Sequence, residues 1–179
     1  MAMTLITTNT SSNAASSNFT SSIDSTYKLY IFKVLSLNPA TDDANFTFLS
    51  STNGGSSYGE TMTSSAFAVL HEEDNGENSL FYASGQDLAQ GSTQQLMNEM
   101  SNAADSGGAA TLYLFNPSNT TYVKHWYCRA AYMDNAYDSS AARDLYTAGY
   151  VNSTSAVNAV QFKMSSGNFD GTIKMYGVS

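Results

Sequence analysis

Thr26 to Leu37 reads TYKLYIFKVLSL, a run dense in aromatic and β-branched residues that stops at Asn38-Pro39. In an extended strand, Tyr27, Leu29, Ile31 and Leu35 point to one side, and Tyr30, Phe32 and Val34 to the other. Both sides are mostly apolar. Such a strand needs a layer on each face, or one layer plus a partner molecule, which places it at the centre of a sheet. A helix competes for any apolar run this short, but the β-branched and aromatic content and the proline stop favour the strand.

Outward from this stretch the chain repeats the same grammar. Asn18 to Ile23 alternates weakly ahead of it. Behind it, Asn45 to Ser50 carries Phe46 and Phe48 on one face and reads as a hairpin-like return, closed by the turn cluster Ser51 to Gly55. Ser64 to His71 sorts Phe67, Val69 and His71 to one face and Ala66, Ala68 and Leu70 to the other. An acidic loop follows, Glu72 to Glu77, and then a short apolar segment, Leu80 to Ala83. Ser92 to Met100 is the one place where a helix competes seriously, because Ser92 and Gln95 match a capping box and Leu96, Met97 and Met100 share a helical face. Flanking strand signals tip it to extended structure.

Thr111 to Phe115 (TLYLF) reads as a buried strand stopped by Asn116-Pro117. Thr121 to Met133 alternates Tyr122, Lys124, Trp126, Cys128, Ala130 and Tyr132 against Val123, His125, Tyr127, Arg129 and Met133. Pattern alone does not decide which set faces inward. Asp144 to Val151 groups Tyr146, Ala148 and Tyr150, and Val157 to Met164 turns Val160, Phe162 and Met164 in with Gln161 and Lys163 out. Thr172 to Val178 is the last strand, expected to pair beside Tyr27 to Leu35 and join the two ends of the domain.

Eight to ten short strands, two prolines and no convincing long helix predict an all-β fold, an antiparallel two-sheet β-sandwich of jelly-roll type, with a barrel as the runner-up. At 179 residues the chain fits one domain, 17–179, preceded by a small polar arm, 1–16, that orders against a neighbour on assembly. Seven basic against fifteen acidic residues leave a net charge of -8, the wrong sign for a phosphate-binding footprint, so nucleic acid is not an expected partner. The N-terminus lacks a basic region and a continuous apolar core, and no segment has the length for a membrane-spanning helix. Cys128 is alone, which excludes an internal disulfide framework and fits a small buried side chain.

Chemistry-bearing motifs are sparse. His71 and His125 are the only histidines and carry no nearby signature. Glu72, Glu73 and Asp74 beside His71, and Asp42 with Asp43, offer hard oxygen ligands, but they read as solvated loops without the ordered pattern of an EF-hand. A glycosidase pair of acids cannot be picked out of a sequence, because the two meet only in the fold. The N-x-Ser/Thr triplets at Asn9, Asn18, Asn45, Asn119 and Asn152 are what this composition generates by chance. No enzyme activity, cofactor or metal is expected. Tyrosine presents an apolar body with a polar tip, so Tyr122, Trp126, Tyr132, Tyr146 and Tyr150 are the candidates for sugar or partner contact.

Three segments, IDSTYKLYIFKVLSLNPATDDANFTFLSS, LFNPSNTTYVKHWYCRAAY and TAGYVNSTSAVNAVQFKMSSGNFDGTIKMYGVS, together resemble a family of small β-rich proteins and modules of marine tailed bacteriophages. Its members are virion structural proteins, often tail-fibre-like, and similar modules close with a DGTIK-hydrophobic-YG segment. The likeness runs from about Phe19 to the C-terminus and brings no catalytic motif. It implies a virion surface protein assembled in the host cytoplasm. The chain has no stalk, so the expected form is a compact capsid decoration subunit or a tail or fibre-tip subunit. The partners it implies are other virion proteins, further copies of the chain in a homo-oligomer such as a trimer, and a host-surface glycan. Neither nucleic acid nor membrane insertion enters this reading.

Overall fold

The computed structural model describes residues 2–135 and 140–179. Among these residues there is no helix, and thirteen strands follow one another along the chain. They are β1 (Met3–Ala14), β2 (Ser17–Phe19), β3 (Leu29–Pro39), β4 (Ala44–Ser51), β5 (Met62–Glu72), β6 (Asn78–Tyr82) and β7 (Leu88–Gly91), then β8 (Gln94–Met100), β9 (Gly108–Phe115), β10 (Lys124–Asp134), β11 (Ala141–Val151), β12 (Ala159–Met164) and β13 (Phe169–Val178). Every described pairing is antiparallel, and the sheet is nearly closed into a barrel.

One continuous run of hydrogen bonding goes β1-β13-β3-β9-β10-β11-β5, with β6 and β7 both on the far side of β5. A second run is β8-β4-β12-β2, joined to the first where Asp134 of β10 meets Met100 of β8. Near the other end Asn9 of β1 donates its amide to Ser17 Oγ at 3.2 Å and to the Asn18 carbonyl at 3.0 Å, drawing β2 toward β1.

The TYKLYIFKVLSL run is strand from Leu29 onward, between β13 and β9. The C-terminal strand lies beside it, with Thr172 opposite Leu35 and Val178 opposite Leu29. Tyr30, Phe32 and Val34 face the core. Ser36 then takes φ 51°, and a register shift between Val34 and Leu37 lets Leu37 turn inward although strict alternation assigns it outward. Leu35 is left exposed, whereas Ile31, also on the outer face, is closed off between Tyr176 and Tyr113, its partners on the adjoining strands.

The return after Asn38-Pro39 is not a hairpin. β4 pairs with β8 and β12 and not with β3; the turn through Asp43, at φ 56°, carries the chain across to the second run of strands. There Phe46 and Phe48 meet Phe162 of β12 and form the middle of the core. Phe162 also contacts Phe19 and Phe32, and Phe48 packs edge-on to Trp126 at 5.8 Å, so aromatics from both runs interlock. Ser92 to Met100 contributes β8, in which Leu96, Met97 and Met100 are buried. The 1–16 segment contributes β1, hydrogen-bonded along its length to β13 of the same chain. Thr111 to Phe115 is only half as buried as its composition suggests: Leu112 and Leu114 face in, while Tyr113 is half-buried and Phe115 exposed.

Candidate binding face

Alternation on β5, β9, β10 and β11 settles what lies outside. Ala66, Ala68 and Leu70, Leu112 and Leu114, and Trp126, Cys128, Ala130 and Tyr132 point to the core. The alternate positions must then point away from it. On β10 this puts the Trp126 set inside and the Tyr127 set outside. On β5 the small residues go in and Phe67, Val69 and His71 come out, Phe67 being 46% exposed.

Cross-strand register assembles these outward side chains into rows. Ile31, Tyr113, Tyr127, Ala148 and Ser65 form one row. The next contains Lys33, Thr111, Arg129, Tyr146, Phe67 and Tyr82. Tyr113 stacks on Tyr127 with ring centroids 4.5 Å apart, and Phe67 stacks on Tyr146 at 4.6 Å. Arg129 lies 5.1 Å from the Tyr146 ring and clasps Asp144, with Nη2 to Oδ2 at 2.6 Å and Nε to Oδ1 at 3.1 Å. That pairing raises the guanidinium pKa above its already high ordinary range, and the two charges compensate each other.

Of the residues singled out in the sequence, Tyr146 and Tyr150 belong to this face, with Tyr150 6.1 Å from the His125 ring. Tyr122 is 70% exposed and stands at the rim beside Phe115 and His125, over a cleft of about 540 Å³. Trp126 and Tyr132 are not contact residues: at 2% and 5% exposure both lie in the core, on the inward side of β10. Phe67, Tyr113 and Tyr127 were missed. The signal for Tyr127 was its position next to Trp126, since burying one of two adjacent strand residues exposes the other.

Buried Tyr132 instead shapes a second, polar cleft of about 480 Å³. Its hydroxyl donates to Asn98 Oδ1 at 2.6 Å and accepts the Asn98 N–H at 3.1 Å, and burial raises its pKa well above the ordinary phenol value. Asn98 in turn donates to Glu99 Oε2 at 2.9 Å, and Asn45 Oδ1 accepts the Glu99 N–H at 2.8 Å. Carboxamides of Asn45, Gln86, Gln95, Asn98 and Asn135 line this cleft with two carboxylates.

His71 and His125 are far apart: His71 opposes Ala142, which opposes Met133, eight positions along β10 from His125 and so roughly 26 Å away at 3.3 Å per residue. Among the described residues no group of three or more His, Cys, Asp or Glu is arranged to hold a metal ion. Among the described residues there is no helix long and apolar enough to cross a membrane. Cys128 is fully buried, and desolvation raises its thiol pKa far above the ordinary value. In comparisons with known proteins, no family model matches the chain and no curated protein matches its sequence.

Proposed function

We propose that this chain is a structural protein exposed on the surface of a tailed-bacteriophage particle, a capsid decoration subunit or a tail or fibre-tip subunit, that works by assembly and binding rather than catalysis. The observation that carries the reading is the outer face of β9, β10, β11, β5 and β6, where Tyr113, Tyr127, Tyr146 and Phe67 remain accessible on a sheet whose other side is a complete core. An aromatic surface of this kind is built for contact. In this reading the two hydrogen-bonded runs act as the two layers of a sandwich of jelly-roll type, with the Phe32–Phe162 and Phe48–Trp126 contacts between them. The protein assembles with further copies and with other virion proteins in the host cytoplasm and ends in the virion.

Mass spectrometry of purified particles tests this directly. Peptides of the chain at stoichiometric abundance are expected, and their absence sinks the reading. A second reading, a module that recognises host-surface carbohydrate, draws on the Tyr122–Phe115 cleft and the carboxamide-lined cleft at Asn98, since sugars are bound by aromatic platforms and planar amides. A glycan array without a hit at high protein concentration removes it.

A further inference from the structure

The aromatic face has relief as well as area. Tyr113 and Tyr127 form one raised block, and Tyr146, Phe67 and Tyr82 form another, displaced by one row and about two strands. Between them lie hollows. One has Ala148 and Ser65 in the row of Tyr127 and is walled by Tyr127, Tyr146 and Phe67, with a volume of about 140 Å³. The other has Ala109, Thr111 and Ala131, bordered by Lys33, Leu35 and Arg129, with a volume of about 320 Å³. Raised blocks and hollows thus alternate on one surface, which is the condition for a surface to fit a rotated copy of itself.

We propose that a second copy of this chain packs face to face on this surface about a two-fold axis lying in the plane of contact, with the aromatic blocks of each copy entering the hollows of the other. This rests on the structural reading above and names its first partner. Charge argues for the same occupant. The chain carries -8 overall, whereas the charged groups on and beside this face are the compensated Arg129–Asp144 pair and Lys33, so two copies meet here without the carboxylate repulsion that opposes contact elsewhere. Area argues for it as well: five strands at about 3.3 Å per residue and 4.8 Å between strands present roughly 700 Å², close to the roughly 800 Å² per partner of a stable specific interface. A two-fold contact gives a dimer rather than the trimer expected from the sequence.

Sedimentation velocity of the intact chain across about 1 to 100 µM tests it, a range that spans ordinary specific affinities. A dimer is expected, and Ala148→Glu, which fills a hollow and sets a carboxylate against an aromatic block, weakens it at least about tenfold. Phe67→Ser, which removes a raised block at an exposed position, does the same and decides the matter if Ala148→Glu does not fold. A wild-type chain that stays monomeric or forms a trimer overturns the proposal, as does a dimer that both variants leave unchanged. The outcome is independent of the particle measurement: a monomer found in particles removes only the two-fold contact, and a dimer absent from particles removes only the virion reading.

Discussion

Phe162→Ala probes whether the two runs of strands truly share one core. Phe162 is fully buried on β12 and contacts Phe19, Phe32, Phe46 and Phe48, three of them on other strands of its own run's neighbourhood and Phe32 on the opposing run. Truncation removes a ring of roughly 100 Å³, and at about 24 cal/mol per Å³ of unrelaxed cavity that costs about 2.4 kcal/mol. The lost transfer free energy of the ring adds about 2 kcal/mol. The sum, about 4 to 5 kcal/mol, is a large part of the 5 to 15 kcal/mol that domains usually have. Trp126 is the only tryptophan and lies 5.8 Å from Phe48, so its fluorescence during urea unfolding reports on this core. The expected result is a midpoint lowered by about 2 M urea, taking a slope near 2 kcal/mol/M, with that slope unchanged. Leu5→Ala, at an exposed position on β1, serves as the comparison and shifts stability by less than about 0.5 kcal/mol. A cost below about 2 kcal/mol for Phe162→Ala refutes the shared core, because only a site free to collapse or open to water loses so little.

Three other outcomes follow from the same structure. Deleting residues 171–179 strips the hydrogen-bonded ladders of both β1 and β3 and removes Ile173, Met175 and Val178 from the core, so the truncated chain shows no cooperative thermal melt. Asp24 is held below its ordinary value of 3.8, chiefly by the Thr26 N–H at 2.8 Å. The folded state therefore binds fewer protons than the unfolded one in that window, and the associated stability is complete above pH 3.8 and fades as pH falls through the lowered value. Urea midpoints from about pH 3 to 6 fall less steeply for Asp24→Asn than for the wild type if this is right. Cys128 reacts with a thiol reagent only through opening of the core, so native labelling is slower than labelling in denaturant by about a thousandfold or more, and rapid native labelling contradicts its burial.

The strands were legible because apolar alternation and turn chemistry are local properties. Val160, Phe162 and Met164 face inward as their pattern requires, and β13 lies beside β3 as two strands of similar character at opposite ends of a domain do. What escaped depended on single backbone conformations or on long-range choice. The Ser36 bulge redirects Leu37 through one positive φ that no periodicity announces. The route from β3 to β4 turns on the conformation at Asp43, and a hairpin and a crossover of that length look alike in sequence. The candidate site was half legible for a related reason. Both faces of Thr121 to Met133 are rich in large side chains, so the assignment of Trp126 inward and Tyr127 outward waited on which side of β10 meets Phe48 and the core.

β5 sharpens what that outer face is for. Its inward side is Ala66, Ala68 and Leu70 and its outward side Phe67, Val69 and His71, so the bulkier side chains lie where water is. A register slip of one residue would exchange the two sides; in the observed register Ala66 and Ala68 lie opposite Thr147 and Leu145, and all four are buried. The large outward residues Phe67 and Val69 add nothing to the core. They continue past β5 onto β6, where Leu80 is 70% exposed at the margin of the sheet. An apolar margin is a hazard, because unpaired strand edges of different copies can join without limit. Here the β5–β6 turn places Glu73, Asp74 and Glu77 next to that margin, and copies approaching edge to edge bring like charges together. Repulsion at the edge and the compensated pair on the face select between the two ways the same apolar strip can be covered. That selection favours the proposed face-to-face contact, which closes on itself, over edge-to-edge growth.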